Sequence, residues 1–122
     1  MITIYLLIIS AFAKSIMDTL HFHFDISIFS NLKQSWWNPL TSWKNKWKNG
    51  DPSQGECFWG SSRWFVRFTD AWHFFQGMMI TCLMLSIVLY QTVFSIWIDF
   101  FVMYFIFTFT FEVMFRIWKK RK

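Results

Sequence analysis

Charged residues are scarce in this sequence of 122 residues, of which only 16% are charged. Soluble globular domains usually carry about 25% charged residues. Hydrophobic residues make up 55% of the chain and aromatic residues 24%, so too little polar surface remains to cover a soluble globule. The composition excludes an ordinary soluble domain, and the length predicts one domain.

Proline and glycine are absent from residues 78–115, and Asp99 and Glu112 are the only charged residues in that stretch. A single helix over residues 77–115 would extend about 58 Å, whereas the hydrocarbon core of a bilayer is about 30 Å thick. The stretch therefore predicts two membrane crossings.

Sequence signatures of several reaction classes are missing. Cys57 and Cys82 lie in a polar loop and in an apolar run, which predicts two free thiols at different depths. The segment 55–62 has no lysine after its last glycine, which excludes a nucleotide-binding P-loop. No Gly-x-Ser-x-Gly pattern or comparable nucleophile motif occurs. We therefore expect neither nucleotide hydrolysis nor covalent catalysis.

Three apolar segments predict an all-α, polytopic integral membrane protein that forms a single domain over residues 1–122. The alternative for the first segment is a cleavable signal peptide, but no basic residues precede it and no clean small-x-small site follows its apolar run. We expect it to be retained. The expected helices 1, 2 and 3 span about residues 2–24, 63–90 and 93–118.

The expected loop over residues 25–62 is rich in tryptophan, lysine and turn signals. Indole rings favour the headgroup level and ammonium groups favour water or lipid phosphate, so we expect this loop to lie on the membrane surface. Single-stranded nucleic acid is the alternative partner for alternating Trp and Lys, but anionic lipid explains the net charge of +5 better. The expected anchors are Trp36, Trp37, Trp43, Trp47, Lys44 and Lys48.

Basic residues predict the orientation of the three helices. The loop between helices 1 and 2 and the C-terminal run of four basic residues would lie on the same side after three crossings. The positive-inside rule makes that side cytoplasmic, which predicts an N-out, C-in protein. We expect a bacterial inner membrane, with an organellar inner membrane as the alternative.

Polar residues fall at the same predicted depth in all three helices. Asp18 and His21 have the same spacing as Asp70 and His73, and Glu112 lies near the end of helix 3. Imidazole and carboxylate groups are common ligands of zinc, iron and manganese, and helical bundles build metal sites from such pairs on facing helices. The sequence therefore predicts a divalent metal site formed by these five residues, with His23 as an alternative to Glu112.

The alternative interpretation is structural: the same polar side chains could pair along their own helices and lock the bundle together. A proton-handling or ligand-binding site is a third possibility. The pairs expected from the structural interpretation are Lys14 with Asp18, Arg67 with Asp70, and Glu112 with Arg116.

The expected start of helix 2 also predicts a phosphate site, for example for a lipid headgroup. Free backbone N–H groups at a helix N-terminus bind anions, and two arginines one turn apart would add charge. An ordinary N-cap followed by snorkelling arginines is the alternative. The residues of this expected site are Ser61, Ser62, Arg63 and Arg67.

Two functions from different classes fit these observations. The first is a small membrane enzyme or binding protein whose Asp/His site acts on a phosphate-bearing or lipid-like ligand. The second is a non-catalytic subunit of a larger membrane complex, or of a homo-oligomer, in which the same residues hold the helices together.

Overall fold

Three helices are long and apolar enough to cross a bilayer in the computed structural model, which describes residues 1–120. At 1.5 Å per residue they extend about 32, about 27 and about 35 Å, close to the hydrocarbon thickness of about 30 Å. The described residues form helices, short 3-10 turns and two isolated bridges, with no strand. The expected all-helical membrane class is confirmed. The helices are α1 (Ile2–Phe22), α2 (Gln34–Trp37), α3 (Pro39–Ser42), α4 (Ala71–Val88) and α5 (Ile96–Trp118).

Helices α1 and α4 run antiparallel. The hydroxyl of Thr3 donates to the carbonyl of Leu89 at 3.4 Å, and the hydroxyl of Ser10 donates to the carbonyl of Met79 at 3.1 Å. The end of α1 that leads into the loop therefore lies beside the start of α4.

Helix α5 runs in the same direction as α1. Leu7 and Phe100 line one groove at the end of the bundle away from the loop, and the Trp118 indole N–H donates to the Ser15 hydroxyl at 2.9 Å towards the other end. The backbone N–H of Lys120 then donates to the carbonyl of Ile26. The C-terminal end of α5 and the loop after α1 thus lie at one end of the bundle.

Helix α1 is the central element, and its small side chains explain why. Ala11, Ser15 and Thr19 follow one another at four-residue spacing, and all three are 0% exposed. Small residues at this spacing let helix backbones approach closely in a membrane. Each long helix contains an 18-residue apolar window that could span the bilayer. The buried share of this window is 44% in α1, 11% in α4 and 6% in α5. Helix α1 therefore packs against both other helices, which leave most of their own surfaces open.

An aromatic core closes the loop end of the bundle. Ile16, Leu20, Phe29 and Ala71 are its buried members. The ring of Trp37 stacks on Phe29, with 5.0 Å between ring centroids, and Trp36 packs against the same core. These two tryptophans hold the loop to the bundle, which differs from the surface anchoring expected for them.

The second long helix begins later than expected. It starts at Ala71, where the carboxylate of Asp70 accepts a hydrogen bond from the backbone N–H of His73 at 2.9 Å. The expected N-cap residue Ser61 instead donates its hydroxyl to the carbonyl of Lys46 at 2.7 Å. Residues 63–70 therefore form a loop with one short 3-10 turn, Val66–Phe68. Asp70 supplies the side-chain cap of the helix, whereas the Ser61 hydroxyl bonds within the loop. The other long helices differ from expectation only at their ends, by two residues in α1 and by three in α5.

Asp99 organises the connection between α4 and α5. Its buried carboxylate accepts hydrogen bonds from the Tyr90 hydroxyl at 2.8 Å and from the backbone N–H groups of Val93 at 2.8 Å and Phe94 at 3.3 Å. One acidic side chain thus satisfies three donors at the turn before α5, and the Ser95 hydroxyl caps the helix itself by accepting from the Ile98 N–H at 3.3 Å.

Replacing Ala11 with leucine tests the packing of α1. The added volume has to fit where the side chain is 0% exposed, so we expect a loss of about 1–3 kcal/mol of stability. Thr108→Leu on the exposed surface of α5 is the matched control. Thermal unfolding in detergent should show a lower melting temperature for Ala11→Leu alone. Equal melting temperatures for the two variants would contradict the packing described here.

Candidate functional site

The structure joins only two of the five residues of the expected metal site. The Asp70 carboxylate lies 2.7 Å from Nδ1 of His73 and also caps α4 through the His73 backbone N–H. Asp70 is 3% exposed. This Asp-x-x-His pair is therefore explained by the start of a helix, where a carboxylate satisfies otherwise unpaired N–H groups.

The other three residues of the expected metal site lie in separate local environments. Asp18 forms an ion pair with Lys14 one turn earlier on α1. Glu112 accepts a hydrogen bond from Arg116 at 2.6 Å on α5. His21 is exposed, and its ring lies edge-on to its neighbour Phe22, with 4.5 Å between centroids.

No group of three or more His, Cys, Asp or Glu residues within residues 1–120 has a geometry that could hold a metal ion. His23, the alternative ligand, has its ring 5.4 Å from that of Phe115. The structure does not support the expected zinc, iron or manganese site, because the carboxylates on α1 and α5 pair with a basic residue one turn away. Two of the three ion pairs of the structural interpretation are present, those of Lys14 and Arg116.

Arg67 does not form the third expected ion pair. Its guanidinium donates to the Thr81 hydroxyl at 3.3 Å and crosses over Gly77. A Cβ atom at Gly77 would lie 2.2 Å from the nearest guanidinium nitrogen. Gly77 therefore makes room for an arginine from the loop to reach α4, a contact that the sequence did not reveal.

Some donors of the expected phosphate site are already used by a side chain of the protein. The Glu56 carboxylate accepts hydrogen bonds from the Gly60 N–H at 2.9 Å, from the Ser62 N–H at 3.2 Å and from the Ser62 hydroxyl. Residues 61–67 precede α4 by several positions, so the N-terminus of α4 does not contribute to this site. A phosphate at the Ser62 N–H would compete with the Glu56 carboxylate, whereas Arg63 is exposed and lies outside these hydrogen bonds.

Glu56 also sets the charge of this turn. Hydrogen bonds from the Ser62 hydroxyl and from the Gly60 N–H hold the pKa of its carboxyl below the ordinary value of 4.5, and Arg63 adds a weaker through-space attraction. The carboxylate is therefore ionised at neutral pH. The turn it organises carries one fixed negative charge beside an exposed arginine.

A pocket of about 350 Å³ opens beside this turn. We call it the Trp pocket, and we define it by the residues of its lining that carry aromatic or charged groups. An antiparallel bridge joins residues 47 and 56, which both belong to its lining. The aromatic and charged residues of the lining, which define the Trp pocket, are Trp47, Glu56, Trp59, Arg63 and Trp64.

A larger apolar groove of about 530 Å³ lies at the end of the bundle away from the loop. All three long helices contribute to it, for example through Leu7, Leu83 and Phe107. We call it the helix groove.

No protein-family model, no curated protein and no solved structure matches this chain. What the fold defines is an integral membrane protein with three helices that could each cross the bilayer. Its function has to be inferred from the geometry of its own residues.

Replacing Asp70 separates the role of a cap from the role of a ligand. Asp70→Ala removes the acceptor for the His73 N–H and should cost about 0.5–2 kcal/mol of stability. Asp70→Asn keeps an acceptor oxygen and should retain most of that stability. The exposed Asp25 supplies the control Asp25→Ala. Thermal unfolding followed by circular dichroism measures these effects, and Asp70→Asn melting as low as Asp70→Ala would contradict the capping role.

Proposed function

We propose that this protein is a non-catalytic integral membrane subunit that helps to hold a larger membrane complex together. The observation that carries the proposal is the uneven burial of its three helices. The hydrophobic windows of α4 and α5 are only 11% and 6% buried, although α1 between them is 44% buried. A chain that leaves two of three helices so open has surface available for a partner.

The helix groove supports a transmembrane helix of a partner as the occupant. Three helices line it along part of their length, and its residues include the exposed, hydroxyl-bearing Tyr104 among apolar side chains. The hydroxyls of Thr3 and Ser86 also lie there but already donate to the carbonyls of Leu89 and Leu83. Helices associate in membranes through packing and through hydrogen bonds between such side chains. A partner helix offers both kinds of contact, whereas a lipid chain offers only packing.

The local pairing of charged groups also supports a structural role. Lys14 with Asp18 and Glu112 with Arg116 are pairs within single helices, and Asp70 serves as a cap. Each of these groups already has a structural partner. The other function expected from the sequence, a metal-dependent or ligand-binding Asp/His site, stays a prediction that this geometry does not favour.

We further propose that the loop and the C-terminal end of α5 face the cytoplasm, in a bacterial inner membrane or an organellar one. The positive-inside rule supports this orientation because both segments are basic. Arg116, Lys119 and Lys120 line a common pocket there with Ile28, where anionic lipid phosphates would be favourable ligands. Arg121 and Lys122 complete the basic run but lie outside the described residues.

Site-specific photo-crosslinking in native membranes tests the subunit proposal. A photoreactive phenylalanine analogue replaces Phe101, which is 66% exposed on α5. We expect one discrete adduct with a second membrane protein, found again when the analogue replaces Tyr104 in the helix groove. The control carries the analogue at Leu40, which is 80% exposed in the loop, and should give no such adduct.

The proposal also predicts that the purified chain melts at a lower temperature alone in detergent than together with its partner. A chain whose melting temperature is the same with and without the crosslinked partner, and which gives only lipid adducts from α5, would contradict it. An adduct with twice the chain mass of 14.9 kDa would show that the partner is a second copy of this chain, and that the assembly is a homo-oligomer.

A further inference from the structure

The Trp pocket is built before any ligand arrives. The Lys48 N–H donates to the Gly55 carbonyl at 3.0 Å and the Cys57 N–H donates to the Lys46 carbonyl at 2.9 Å, so the two sides of the loop are fixed to each other. The Glu56 carboxylate then closes the following turn through Gly60 and Ser62. A binding site held in this way loses little conformational entropy when it is occupied.

Two of the three indole rings of this pocket are largely exposed, although Trp59 also lies beside Phe65, with 5.7 Å between ring centroids. Trp59 is 79% exposed and Trp64 is 78% exposed, whereas Trp36 and Trp37 pack into the aromatic core. Three indoles around one concave surface, with a carboxylate beside them, are typical of sites that bind organic cations through cation–π contacts. The pocket volume of about 350 Å³ is within the range of about 300–1,000 Å³ usual for small-molecule sites.

The charges of the pocket narrow the class of ligand. A simple cation would be attracted by Glu56 but repelled by Arg63. A simple anion would be attracted by Arg63 but repelled by Glu56. A zwitterion with an ammonium group and a phosphate matches both side chains. Arg63 is exposed, so its guanidinium is free to turn towards a phosphate at the rim.

We propose that the Trp pocket binds a phosphocholine group, with the quaternary ammonium against the indoles and Glu56 and with the phosphate on Arg63. The group could belong to a phospholipid headgroup or to a soluble phosphocholine compound. The loop lies at the ends of the membrane-spanning helices, since Asn45 donates to the carbonyl of Thr69 just before α4. This position makes a headgroup accessible. The inference is independent of the subunit proposed above, because the two involve opposite ends of the bundle.

Titration of the full chain tests this assignment. The protein is purified in a maltoside detergent, which has no choline, and phosphocholine, choline and inorganic phosphate are each titrated while tryptophan fluorescence is recorded. We expect saturable binding of phosphocholine, with choline alone and phosphate alone at least about tenfold weaker. Equal affinity for inorganic phosphate and phosphocholine, or no saturable signal with phosphocholine, would overturn the proposal.

Variants assign the parts of the ligand to individual side chains. Trp64→Ala should weaken phosphocholine binding roughly 3- to 30-fold, the effect of one lost cation–π contact. Trp43→Ala is the matched control because Trp43 is exposed on the same loop outside the pocket and should leave binding unchanged. Arg63→Gln should weaken the binding of phosphate more than the binding of choline, because the Arg63 side chain is exposed and takes no part in the hydrogen bonds by which Glu56 holds the turn together. Equal effects of Trp43→Ala and Trp64→Ala would show that the signal does not come from the pocket.

Nanodiscs distinguish the two sources of the group. If a lipid supplies it, phosphatidylcholine nanodiscs should abolish the response to added phosphocholine, whereas phosphatidylglycerol nanodiscs should preserve it. If a soluble compound supplies it, the response should persist in both. A response missing from both kinds of nanodisc would contradict the site in a membrane. Circular dichroism of each variant verifies that the helices remain folded.

Discussion

Close packing of α1 through small side chains is the constraint on which the rest of this structure depends. Membrane helices gain little from the hydrophobic effect when they associate, so they rely on contact distance and on hydrogen bonds. The buried Ala11, Ser15 and Thr19 provide the first, and the hydrogen bond from Trp118 to Ser15 provides the second. Both α4 and α5 are positioned by α1, which explains why one helix is buried and the other two remain open.

This arrangement determines what the polar residues can do. Asp18 and Glu112 each lie one turn from a basic residue of the same helix, and Asp70 caps the helix that it precedes. Their charges are therefore compensated locally. In the loop, by contrast, Glu56 and Arg63 belong to the lining of a pocket that also contains indoles.

The number of long helices could be predicted from the sequence because hydrophobic length is a property of local composition. The contacts between the helices could not be predicted, because nothing in the sequence shows that Ala11, Ser15 and Thr19 are buried until a neighbouring helix is known. The arrangement of the candidate site could not be predicted for the same reason. Two Asp-x-x-His pairs gave a reasonable hypothesis of a metal site, but the spacing alone cannot distinguish a ligand pair from a helix cap. The sequence predicts the start of α4 too early because serine is a common N-cap residue. In the structure the Ser61 hydroxyl instead donates to the carbonyl of Lys46.

The central claim is that three crossings place the loop and the C-terminal end of α5 on one side of the bilayer. Cysteine accessibility tests this arrangement most directly. In sealed vesicles of one orientation, with Cys82 replaced by serine, a membrane-impermeant maleimide should label the exposed Cys57 and a cysteine at Lys120 from the same side. With Cys57 also replaced by serine, Thr92→Cys should be labelled only from the opposite side. Labelling of all three positions from one side would contradict the three-pass account.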